Sequence, residues 1–113
     1  MSEAVQGEVW FCALDPTRGR EQAGNRPVVI VSVDQLGTGP SGLAIVVPLT
    51  TTPQSNPIRP EIEPDEGGLR ERSWALPDMV RSVDRSRLIE RWGRLRNETL
   101  EQVAARVRLL IRT

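Results

Sequence analysis

The chain has 113 residues, one cysteine and no histidine, enough for one domain that buries roughly two-thirds of its unfolded surface. This excludes a disulfide framework, a Cys- or His-built metal site within one chain, and any nucleophile activated by imidazole. Formal charge is zero, but residues 1–66 hold four Arg against nine Asp/Glu and residues 67–113 eleven Arg against six, so a −5 half precedes a +5 half.

The opening "MSEAVQGE" is polar and acidic, and no apolar run approaches the ~20 residues that span a bilayer. A single soluble, cytoplasmic domain over residues 1–113, away from membranes, is expected. Glu8–Leu14 reads as a strand, with Cys12 inside it as a small buried hydrophobe. The loop "DPTRGREQAGNRP" leads into Pro27–Val33, nearly all apolar and predicted to be a strand buried on both faces. "DQLGTGPSG" reads as turn, Leu43–Leu49 as a third strand and "TTTPQSNP" as loop. Arg59–Glu63 contains Pro60 and suits an edge strand or irregular segment. Trp74–Val83 and Arg87–Leu95 read as further strands around a tight turn at "DRSR". The period then changes. Leu100, Val103, Ala104, Val107, Leu110 and Ile111 form a helical stripe, with Asn97 placed to cap it and Glu98 and Glu101 near its positive end. The expected fold is mainly β with a C-terminal α-helix packed on a small twisted barrel.

All fifteen cations are Arg. A GC-rich coding bias would produce this, and so would a need for forked contacts to phosphate or carboxylate. Arg26 follows a Gly-containing loop and precedes Pro27, whose fixed φ biases its neighbour to extended geometry. Thr50 ends the third strand with a χ1 restricted by β-branching. A guanidinium and a hydroxyl on stiff anchors suit stabilisation of charge developing on a phosphorus centre. Read singly, either could be structural: a surface ion-pair partner, or a β-favouring residue.

The order "DPTRGREQAGNRPVVIVS", "VVPLTT", "MVRSVDRSRL" and "GRL" before a terminal amphipathic helix resembles the MazF/PemK family of toxin endoribonucleases over nearly the whole chain. Gly19, Glu21, Gln22, Gly24, Arg26 and Pro27 all match that family's first loop. The resemblance implies an SH3-like barrel of the MazF/PemK/CcdB kind, a homodimer, and ribosome-independent cleavage of single-stranded RNA at a short sequence; no cofactor is expected, and no metal either, because the chain has no histidine and no tight carboxylate cluster. It implies Arg26 and Thr50 as the catalytic pair, and a MazE-like antitoxin whose acidic C-terminal segment wraps the toxin. Where the PemK branch has His and Arg this chain has Arg20 and Leu76, which favours the MazF-style pair.

Deprotonating Arg26 near neutrality costs about 7 kcal/mol, so it reads as an electrostatic clamp rather than a base. Glu21 or Asp78 could accept the 2′-hydroxyl proton. Glu21 could equally order its loop, and Asp78 pair with Arg81 or Arg85. RNA contacts are expected from Thr17, Arg18, Arg20, Gln22, Asn25, Thr51, Thr52, Gln54, Asn56 and Arg81, polar groups suited to splayed base edges and phosphates. Trp10 and Trp74 are expected to be core or dimer residues. The alternatives are a CcdB-like gyrase-binding toxin, which would use an exposed Trp near the C-terminus where this chain ends "RLLIRT", and a non-catalytic RNA-binding relative.

Overall fold

The computed structural model describes residues 2–14, 19 and 24–111. Seven strands and two helices follow one another as β1 (Glu8–Ala13), β2 (Asn25–Ile30), α1 (Asp34–Gly37), β3 (Leu43–Thr50), β4 (Glu61–Ile62), β5 (Ser73–Ala75), β6 (Arg81–Asp84), β7 (Leu88–Arg94) and α2 (Asn97–Leu110). All pairings are antiparallel, in the order β4-β5-β3-β2-β1-β7, with β6 also on β3.

The apolar run of β2 is buried on both faces, as its composition predicts, and so are those of β1 and β3. Trp10, Cys12, Val28, Ile30, Ala44 and Val46 enter one core cluster, and Val9, Val29, Val47 and Leu49 a second. The alternation follows from the two-residue period of a strand. Helix α2 covers the second cluster through Val103, helped by Leu95 in the segment before it. The result is a curled half-barrel with a helix packed on it. Among the described residues no helix is long and apolar enough to cross a membrane.

Four expectations need correction. The segment Trp74–Val83 is not one strand. After Leu76 donates its N–H to Pro48 at 2.9 Å, Pro77–Met79 makes a 3-10 turn, and pairing with β3 resumes only at Arg81, opposite Val46. Pro77 has no N–H to continue the ladder, and the excursion carries Asp78 out of the sheet. "DQLGTGPSG" contains the one-turn helix α1, pinned by the guanidinium of buried Arg85, which donates to the carbonyls of Gly37 and Gly39. Asn97 is the first helical residue of α2 and not its cap. Glu66 does that work: its Oε2 accepts the Arg96 N–H at 3.0 Å and its Oε1 the Arg96 guanidinium at 3.1 Å. The helical stripe also outruns the sheet, leaving Leu110 and Ile111 47% and 55% exposed.

Candidate functional site

The register of the sheet assembles the site. β2 and β3 pair as Val28–Pro48, Val29–Val47 and Ile30–Val46. Continued outward by two residues, that register sets Arg26 opposite Thr50. Arg26 is paired on its other side with Cys12, and Cys12 with Leu88. Thr50 is paired with Trp74, and Trp74 with Glu61. Directly opposed residues in antiparallel strands share a face. One row therefore crosses the sheet: Leu88, Cys12, Arg26, Thr50, Trp74, Glu61.

Arg26 is half-buried at the start of β2, with Pro27 fixing the strand after it. Thr50 is only 8% exposed, and its Oγ1 accepts the Thr52 N–H at 3.1 Å, which fixes the hydroxyl. With that lone pair occupied, the hydroxyl proton remains to be donated elsewhere.

Two more guanidinia gather at this end of the row. Arg81 Nη1 donates to the Leu14 carbonyl at 3.1 Å, and Arg87 Nη1 to the Ala13 carbonyl at 3.4 Å. Both act on Cys12, where their charge favours the thiolate, but burial outweighs them and pushes the thiol up to about 11. Cys12 is thus a neutral, fully buried thiol, as its apolar context suggests. The same arginines, too weak to ionise a buried sulfur, are held on the Leu14 and Ala13 carbonyls, just past Cys12, the strand partner of Arg26.

Asp78 pairs with neither Arg81 nor Arg85. Its carboxylate takes a forked contact from Arg59, with Nε–Oδ1 at 3.0 Å and Nη2–Oδ2 at 2.6 Å, while Arg59 Nη1 reaches Gln54 Oε1 at 2.8 Å. The Arg59 hydrogen bond holds the Asp78 carboxyl below the usual carboxylate range. This arrangement orders the loop that follows Thr50. Asn56 belongs to the same loop; its Oδ1 caps the Ile58 N–H at 3.0 Å. Thr51 and Thr52 are exposed beside Thr50, and Asn25 is exposed beside Arg26. Glu21, Thr17, Arg18, Arg20 and Gln22 lie outside the described residues.

On the opposite face of the same strand ends lies a groove of about 580 Å³, lined by Pro27, Thr51, Arg70, Glu71, Glu90 and Trp92 among others. Gly68, at φ +78°, lets the chain pass against the Trp92 carbonyl where any Cβ would collide. The Trp92 ring stacks on Phe11 with centroids 5.2 Å apart, and its Nε1 donates to Glu90 at 2.9 Å. Sequence reasoning did not single out Arg59, Arg87 or this groove. Arg87 stands within the quoted "DRSRL", but only the pairing of Leu88 with Cys12 brings it to Arg26.

The sequence profile described as "PemK-like, MazF-like toxin of type II toxin-antitoxin system" matches residues 5–111. The chain belongs to this family. Endoribonuclease EndoA of Bacillus subtilis is 33% identical over 100 residues, covering 87% of this chain and 85% of that one. The crystal structure of MazF from Deinococcus radiodurans superposes with a TM-score of 0.84 at 25% identity, covering 97% of each chain. A MazE–MazF structure from the same organism gives 0.78 at 25% identity, covering 97% of this chain and 96% of that one. The MazF/PemK fold expected from the sequence motifs is the one observed.

Proposed function

We propose that the chain is a sequence-specific endoribonuclease toxin that cuts single-stranded RNA by attack of a 2′-hydroxyl on the neighbouring phosphate, without metal or ribosome, and acts as a homodimer neutralised by a MazE-like antitoxin. What supports this reading is the β2–β3 register, which continued by two residues sets Arg26 opposite Thr50, and the anchoring of Arg81 and Arg87 on the Leu14 and Ala13 carbonyls. The named activity of the Bacillus relative supports it, and the Deinococcus MazE–MazF structure supports the antitoxin.

In this reading the Arg26 guanidinium forks two non-bridging oxygens as the phosphorane gains charge, and the Thr50 hydroxyl donates a third hydrogen bond to it. Arg81 and Arg87 keep the local potential positive. A site lined by guanidinia repels a divalent cation, so these groups do the work a metal would do elsewhere. Asp78, committed to Arg59, orders the loop after Thr50, so Glu21 is the carboxylate assigned to accept the 2′-hydroxyl proton as the O2′–P bond forms, and to pass it to the 5′-oxygen as the P–O5′ bond breaks. With no histidine in the chain, the pH–rate profile has no imidazole limb near ~6.5.

An RNA carrying 2′-deoxyribose only at the nucleotide 5′ of the scissile phosphate should bind and stay intact, while the all-ribose RNA yields a 2′,3′-cyclic phosphate end in EDTA. Cleavage of the deoxy-substituted RNA would make water the nucleophile and overturn the mechanism. Arg26→Lys and Thr50→Val should each lower kcat by about 10²–10³ with the fold intact, because a compact ammonium cannot fork two oxygens and a methyl cannot donate.

A further inference from the structure

Trp74 is the member of the cross-sheet row that this chemistry does not use. Of the two places expected for it, core or dimer contact, the core is not where it lies: it belongs to neither buried cluster and is half-buried. Among the described residues its ring stacks on no other aromatic; the stacked pair is Phe11 and Trp92. Its Cα is paired directly with Thr50, so the indole shares Thr50's face. Two strand spacings, about 10 Å, separate it from Arg26. A nucleotide whose phosphate sits at Arg26 and Thr50 lays its base over that distance. Beyond Trp74 the row ends at Glu61, whose charge is met by Arg72, which also pairs with Glu63 at 3.0 Å. The row therefore runs from a cationic end, through a hydroxyl, to an aromatic surface whose acidic neighbour is neutralised.

We propose that Trp74 is a substrate-binding residue: the platform on which the nucleobase flanking the scissile phosphate stacks. This rests on the endoribonuclease reading above. Stacking on an indole holds the base out of its neighbours' stack and swings its phosphate toward Arg26 and Thr50. Every base has a π-face, so the platform favours larger purine rings without selecting a hydrogen-bond pattern.

The test is a thermodynamic cycle between protein and RNA. Wild type, Trp74→Leu and Trp74→Phe are assayed on a short cleavable RNA and on two versions with an abasic ribose, one on each side of the scissile phosphate. Leu keeps apolar bulk without a π-face; Phe keeps a smaller one. Removing stacking worth ~1–3 kcal/mol per base should raise KM for Trp74→Leu by about 5- to 150-fold, with kcat little changed and Trp74→Phe intermediate. One abasic substitution should cost wild type a similar factor and Trp74→Leu almost nothing, because the lost partner is the same. If wild type cuts no RNA, the endoribonuclease reading itself fails. If wild type cuts but both abasic penalties persist undiminished in Trp74→Leu, the platform is overturned. Loss of the homodimer in Trp74→Leu and Trp74→Phe, with the abasic penalties intact, would instead make Trp74 a subunit contact.

Discussion

At Asp78 two nitrogens of Arg59 occupy the carboxylate, so the group that looked equally suited to proton transfer and to pairing is held as an anion in the position of an anchor. Its folded pKa is depressed. The pair therefore contributes stability that is complete above the unfolded value of about 3.9 and is lost as pH falls through the lower folded value. The stability gap between wild type and Asp78→Asn should be constant through neutral pH and close on acidification below about pH 4, as read by urea unfolding at several pH values. If Asp78 is an anchor, Arg59→Gln should slow cleavage about as much as Asp78→Asn does; if it is the base, only Asp78→Asn abolishes cleavage. The partner could not be read from the sequence. Arg59 lies nineteen residues away, in a segment read only as a possible edge strand, whereas Arg81 and Arg85 are near neighbours in the chain. The strand-end placement of Arg26 and Thr50 and the burial of Cys12 were legible because their surroundings are local: a Pro, a strand end and an apolar run.

The elements that were legible are those whose own pattern fixes them. β1, β3 and β7 fall within one residue of their expected bounds, β2 begins two residues before and ends three residues short of its expected span, and β4 is the edge strand that Pro60 suggested. What the pattern could not show is which neighbour satisfies an element's ends. Helix α2 takes its cap from Glu66, thirty residues upstream on the turn that packs against β7, and not from adjacent Asn97. Glu66→Ala should thus cost about 1 kcal/mol of stability, the usual value of a lost cap, while Asn97→Ala should be nearly neutral. Thermal or urea unfolding of the two variants checks the order, and a larger loss for Asn97→Ala would reverse the assignment. Likewise, Trp74–Val83 carries a strand's composition, but Pro77 breaks the ladder and creates the crease that throws Asp78 toward Arg59. At the far end, the period of the stripe continues through Ile111 although the sheet it packs on has ended.

Across the whole molecule, folding cancels much of the charge segregation seen along the chain. Arg72 meets Glu61 and Glu63, Arg91 meets Glu8 at 2.6 Å, and Arg96 meets Glu66 at 3.1 Å, each pair joining the basic half to the acidic half. The exposed Arg72 pairs add little stability, and the carboxylates of Glu8 and Glu66 are largely buried, but all of them remove charge from the field a polyanion meets. Arg85 is buried on backbone carbonyls and Arg108 faces Glu101 at 2.5 Å. Among the described residues, the cations placed toward the candidate site are Arg26, Arg81 and Arg87. Release of counterions from a single strand gives a slope of about −0.7 in log K against log[salt] per neutralised phosphate. Three such contacts predict a slope of about −2 for RNA binding, whereas engagement of all eleven arginines in the second half would give about −8. Binding of a deoxy-blocked RNA measured between 50 and 300 mM salt separates these values. Arg81→Gln should reduce the slope by about 0.7 and leave wild-type preference among RNA sequences unchanged, since a phosphate contact carries no base information. An acidic antitoxin segment bound at the same three arginines should compete with the RNA and lose affinity with salt to a similar degree. Salt-insensitive antitoxin binding, or an antitoxin complex that still binds the RNA, would place the two partners on different surfaces.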